Sequence, residues 1–202
     1  MNVVSSEFVG AISQLALFSI IPFVWWLIAG RKEDNFFKWI GIKKGKCLSP
    51  RLKILLLTII VIGIYVGLTS LCIRFLADGI TTAGRQFEGK GIVAIPAAII
   101  YAFIRTGLAE EILFRGFILK RVSAKFGFKV GNAVQAVLFG LMHGIPFGIV
   151  TGNIVVTVFL TILPGAFGWF EGWLNEKQFE GSIIPSWLIH GTMNLVTTLL
   201  SL

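Results

Sequence analysis

Apolar residues in this chain gather into runs of about 20 separated by short polar stretches, and each run is long enough to cross a ~30 Å hydrocarbon layer as a helix. Six spans are predicted. The first, Phe8 to Ala29, has no basic stretch before it and ends in Trp25-Trp26 and then Arg31-Lys32. It reads as a retained span and not as a secretion signal, which would close on small residues. Ile54 to Leu76 is the second, with Arg74 near enough to its end to reach the interface. Ile92 to Arg121 reads as one long helix, adjusted near Pro96. At about 1.5 Å per residue it exceeds the thickness of the layer, so it must tilt or protrude. A short fourth span covers Val130 to Met142 or a little beyond, and His143-Gly144-Ile145-Pro146 leads into an uncharged loop. The fifth is Ile154 to Phe170, and the sixth is Ile183 to Leu202, with Pro185 in a tolerated first-turn position. There is no ten-residue alternation of a barrel and no internal repeat. The pattern predicts an all-α, polytopic membrane helix bundle, one integral-membrane domain over residues 1–202.

Composition agrees with the pattern. Of 202 residues 55% are hydrophobic and only 14% charged, against about 25% charged in soluble domains; mean hydropathy is +0.86. A net charge of +8 would suit nucleic acid, but its distribution points elsewhere. Arg31 to Lys53 holds eight cationic and two anionic residues, and Lys120, Arg121, Lys125 and Lys129 form a second basic group. Basic loops between apolar runs mark the cytoplasmic side, so the partner is a lipid bilayer and no nucleic acid is expected. Ala77 to Gly91, glycine-rich with balanced charge, is then an outer loop, and both termini face outward. Glu171 to Glu180 is net acidic where an inner loop is expected, but acidic residues weigh little in this rule. Phe36, Phe37, Trp39 and Ile40 within the first basic loop suit a short interfacial helix on anionic lipid, or a solvated loop. Cys47 and Cys72 have no zinc-type spacing and form no disulfide framework.

Against that background Glu110-Glu111-Ile112-Leu113-Phe114-Arg115 stands out, because a carboxylate at the bilayer centre costs at least ~2.5 kcal/mol on insertion scales. Glu111 and Arg115 are i,i+4 neighbours and can pair, whereas Glu110 projects about 100° away and is left to face elsewhere. The two histidines, His143 and His190, also lie in apolar segments. Counted inward from the basic ends at ~1.5 Å per residue, Glu110, His143, His190 and Asn194 reach one layer roughly 10 to 20 Å deep. His190 and Asn194 share a helix face, as do Phe139 and His143, with Phe139 able to wall a pocket. Taken singly, a histidine in an apolar helix is ordinarily a hydrogen-bonded core residue, and a Glu/Arg pair a structural ion pair. Together at one depth they indicate a chemical site or an ion path.

Glu110-Glu111-x-x-x-Arg115, Phe139-x-x-x-His143 and His190-x-x-x-Asn194 resemble the three ordered motifs of the CPBP (Abi-type) intramembrane glutamic endopeptidases. That family includes the CAAX prenyl proteases and bacteriocin-processing or self-immunity relatives. The resemblance covers residues 92–202, and the first two spans match only as membrane helices. It implies an integral membrane protease of the cell membrane whose polar cavity opens to the cytoplasm. A water activated by Glu110 with His143 would hydrolyse the peptide bond, and His190 and Asn194 would stabilise the oxyanion, with Glu111, Arg115 and Phe139 in support. The implied substrate is a CAAX-type, leader or signalling peptide, or a membrane-anchored protein. No cofactor is implied; two histidines and a glutamate can ligate zinc, but the H-E-x-x-H spacing is absent. Two other readings compete: a scaffold or immunity protein that regulates a partner without proteolysis, and a proton-coupled transporter, which the lack of an inverted repeat disfavours.

Overall fold

The computed structural model describes residues 2–76 and 86–200, and among them every regular element is helical. Seven helices lie among the described residues. α1 runs Val3–Gly30 with its last turn π-wound, α2 is the single turn Phe36–Ile40, and α3 is Arg51–Leu76. α4 is the long helix Gly91–Phe126, α5 is Phe128–Thr151, α6 is Ile154–Gln178 and α7 is Ile184–Leu199. Five of these (α1, α3, α4, α5 and α6) are long and apolar enough to cross a membrane; α7, expected as the sixth span, has 16 described residues. The chain is an all-helical integral membrane protein. The expected outer loop at Ala77 to Gly91 lies outside the described residues as far as residue 85.

Local chemistry explains several helix ends. The Asn2 side chain, six residues before the predicted start of the first span, accepts from Ser5 N at 2.8 Å, a standard N-cap. Asn35 caps α2 in the same way, and Gly41 at φ 95° closes it in the left-handed conformation glycine adopts without steric cost. Gly152 at φ 62° ends α5, and Asn153 accepts from Val155 N and Val156 N to start α6.

Several expected boundaries shift. The stretch from His143 to Pro146, expected to lead into a loop, is helix, and α5 continues through Pro146 to Thr151; membrane helices tolerate proline because neighbouring groups take up the freed carbonyl. Glu171, assigned to an acidic loop, is fully buried inside α6. α4 ends at Phe126, beyond Arg121, and contains two π-wound stretches, Ile100–Leu108 and Ile112–Leu119, that hydropathy does not reveal.

The chain groups into two compact units. The first comprises Met1–Lys44, Thr81–Phe117 and Ser182–Leu202, and so holds α1, α2, most of α4, and α7. Small residues bring its helices together: Ala94, Ala97, Ala98 and Ala102 are all fully buried with Phe87 and Tyr101, the close approach that membrane helices obtain from small side chains. Around Trp39 and Ile40 pack Ile112, Ile183, Leu15, Trp26 and Phe117. The short helix expected in the first basic segment is present, and its Trp39 and Ile40 are part of the core. Its trailing backbone is bonded to the start of α7 through Ile183 N to Gly41 O, 2.9 Å, and Ser182 Oγ to Lys43 O, 2.6 Å.

The second unit comprises Gly45–Ile80 and Ile118–Gly181: α3, the end of α4, α5 and α6. Gly140, Gly144 and Gly148 line one face of α5. A Cβ on Gly140 would sit 2.2 Å from Thr161 O, and one on Gly144 would sit 2.6 Å from Thr157 O. Only glycine permits that separation. Asn132 Nδ2 donates to Trp169 O at 2.9 Å, and Gln135 Nε2 to Gly168 O at 2.8 Å. Lys120, read as a topogenic charge, pairs with Glu176 at 2.6 Å and donates to Gly181 O at 2.7 Å.

Candidate active site

Two polar stripes at helical spacing meet in the first unit: Thr106, Glu110/Glu111 and Arg115 on α4, and Ser186, His190 and Asn194 on α7. The approach of these helices depends on glycine at position 191, where a Cβ would come within 2.4 Å of the Phe103 ring. Carbonyls in the π-wound part of α4 accept from side chains. Trp187 Nε1 donates to Phe103 O at 2.6 Å, and the Thr106 hydroxyl lies 3.0 Å from Tyr101 O and 3.2 Å from Ala102 O.

Glu111 is the centre of the cluster. Its carboxylate is fully buried, as is Arg115, whose Nη1 lies 3.2 Å from Glu111 Oε1. His190 Nδ1 approaches the same oxygen at 3.2 Å, and Ser186 Oγ donates to Oε2. A carboxylate accepts only, so the His190 Nδ1 that meets it carries a proton. Glu111 therefore fixes the orientation of His190 and keeps a proton on its Nδ1.

The other ring nitrogen faces the neighbouring carboxylate. His190 Nε2 lies 3.6 Å from Glu110 Oε2, beyond a direct hydrogen bond but close enough for both atoms to act on one small molecule. Within its own unit Glu110 thus lies beside His190, one of the residues expected at its depth. Asn194 Nδ2 donates to Thr106 Oγ1 at 2.9 Å. The first unit thus assembles Glu110, Glu111, Arg115, His190 and Asn194.

His143 and Phe139 belong to the second unit, on α5. Phe139 is buried, its ring 4.5 Å from the His143 imidazole. His143 Nδ1 is 2.8 Å from Phe139 O. A carbonyl can only accept, so the proton of the neutral ring sits on Nδ1 and the lone pair on Nε2.

Sequence reasoning passed over Ser186 and Thr106, although each lies four residues before a residue it did select, His190 and Glu110. It also passed over the ion pair of buried Glu7 with Arg105, whose Nη1 reaches the two carboxylate oxygens at 2.9 and 3.2 Å. Glu7 stands just before the predicted first span and Arg105 in the middle of the third, and nothing in their spacing links them. Glu110, Glu111 and His190 are the carboxylates and imidazole that the first unit brings together at this site. Two of the three are already engaged with each other and with Arg115 and Ser186, and a guanidinium beside the carboxylate is a poor neighbour for a second cation.

Residues 92–196 match a family model described as type II CAAX prenyl endopeptidase Rce1-like. No curated protein and no solved structure matches the chain.

Proposed function

The chain belongs to the Rce1-like type II CAAX prenyl endopeptidase family, and from that premise we propose that it hydrolyses a peptide bond near the cytoplasmic face of the cell membrane with Glu110 as general base. Membership makes it a membrane peptidase; the proposal concerns how and on what it acts. The observation that supports it is the approach of His190 Nε2 to Glu110 Oε2, 3.6 Å, on a ring whose far nitrogen Glu111 holds.

In the proposed reaction a water beside Glu110 gives up a proton to the carboxylate as its oxygen attacks the carbonyl carbon. Glu110 then returns the proton to the departing amine as the C–N bond breaks, so one water is added across the bond and the carboxylate is restored. Charge on the carbonyl oxygen is met by N–H groups of His190 and Asn194, a contribution of roughly 3 to 4 kcal/mol per donor in other hydrolases. His190, keeping Glu111 with Nδ1, donates through Nε2 in its imidazolium form. His143 enters on the strength of the motif order: its Nε2, the lone-pair nitrogen of the neutral ring, is suited to share the water's proton. Glu111, Arg115 and Ser186 position His190. No metal is assigned a part.

The substrate class is a CAAX-type, leader or signalling peptide, free or at the end of an anchored protein. The test is turnover of internally quenched peptides of these classes by protein reconstituted in lipid. Glu110→Gln and His143→Ala should abolish cleavage while the protein stays folded; near-parent turnover by both contradicts the mechanism. Activity should persist after exhaustive chelation, and a loss restored by added zinc would contradict a metal-free reaction.

A further inference from the structure

Thr106 lies one helical turn before Glu110 and makes two kinds of contact through one oxygen. Its hydroxyl is 3.0 Å from Tyr101 O and 3.2 Å from Ala102 O, and its Oγ1 is 2.9 Å from Asn194 Nδ2. A threonine hydroxyl has a single hydrogen. The backbone carbonyls can only accept, so that hydrogen belongs to them, and toward Asn194 the oxygen can only accept. An Asn194 carboxamide turned over would set Oδ1 against Oγ1, lone pair to lone pair.

Back-bonding to the preceding turn is ordinary for a helical threonine. The consequence here is that the backbone bond makes Oγ1 a one-way acceptor aimed at α7. We infer that Thr106 is a positioning residue for the reaction: it sets which end of the Asn194 carboxamide faces α4. One N–H is spent on Thr106, and the second N–H, about 120° away in the amide plane, is the donor that meets the reacting oxygen. The inference rests on the reading of Asn194 as an oxyanion donor.

Five proteins test it: the parent, Thr106→Val, Thr106→Ser, Asn194→Ala and the Thr106→Val/Asn194→Ala double variant. Each is measured for kcat and KM on a peptide the parent cleaves, and for thermal stability. Asn194→Ala should lower kcat on the order of 100- to 1,000-fold. Thr106→Val, which keeps the shape and removes the acceptor, should lower kcat on the order of 10- to 100-fold, with KM and melting temperature near those of the parent. Thr106→Ser should restore the rate, and in the Asn194→Ala background Thr106→Val should cost nothing further. A purely structural Thr106 would lower stability and add its loss undiminished to that of Asn194→Ala; that result overturns the inference, as does a full kcat for Thr106→Val beside a crippled Asn194→Ala. A full kcat for Asn194→Ala would instead remove the oxyanion reading, and the inference with it. Thr106→Ala, which lacks the acceptor and adds no methyl group, replaces Thr106→Val if that protein does not fold, and the same outcomes apply.

Discussion

The two units each bury a carboxylate, Glu111 in the first and Glu171 in the second, but the polar groups named at their helix contacts differ. In the first, charge is buried against charge: Glu111 with Arg115 and His190, and Glu7 with Arg105. In the second, the contact of α5 with α6 is built on glycine faces and neutral amides, with Asn132 and Gln135 donating to the carbonyls of Trp169 and Gly168. A neutral amide loses little when it is buried with a partner, and it does no acid-base chemistry. A buried carboxylate is costly, and it can move a proton. The charge-paired contact lies at Glu111 and Arg115, and the contact through neutral amides lies between α5 and α6.

The largest break in this contrast comes from removing one charge. Arg115→Ala leaves the Glu111 carboxylate buried without its guanidinium and should lower stability by about 3 to 5 kcal/mol, read as a fall in melting temperature in detergent. Next comes the glycine face. Gly140→Ala puts a Cβ 2.2 Å from a backbone oxygen, and because backbone cannot rotate away the loss should be about 1 to 3 kcal/mol. Gly63→Ala on α3 meets nothing within 4 Å and should be neutral or stabilising by up to ~1 kcal/mol. Smallest of all is Asp34→Asn, which removes the exposed i,i+4 pair with Lys38 at 2.9 Å; a change of only about 0.3 to 0.5 kcal/mol is expected.

What could be read from the sequence follows the range of each signal. Helical class, membrane residence and family were all legible, because hydropathy and i,i+4 spacing are local. The Glu111–Arg115 pair was legible for the same reason. The position of His190 between two carboxylates was not, since it depends on the register of α7 against α4, which no spacing within either helix encodes. Pro146 misled for a related reason: proline is a helix breaker only where nothing else satisfies the carbonyl it frees, and that is a property of the surroundings. Trp39 and Ile40 read as part of a short interfacial helix or a solvated loop; the helical turn is there, but its burial depends on Ile112 and Ile183, which are distant in sequence. The amides Asn132 and Gln135 were visible in a stripe with Phe139 and His143, but reasoning that looked for charge passed over them.

The most direct measurement sets the adjacent carboxylates side by side, Glu110→Ala against Glu111→Ala, each scored for melting temperature and for turnover of one substrate. Glu111 is fully buried with Arg115, Ser186 and His190 around it, whereas Glu110 meets His190 at 3.6 Å. Glu111→Ala should therefore melt well below the parent, with activity falling because His190 loses its anchor. Glu110→Ala should lose turnover at an unchanged or raised melting temperature. A stable, inactive Glu111→Ala beside an unstable, active Glu110→Ala would contradict this division and exchange the two roles.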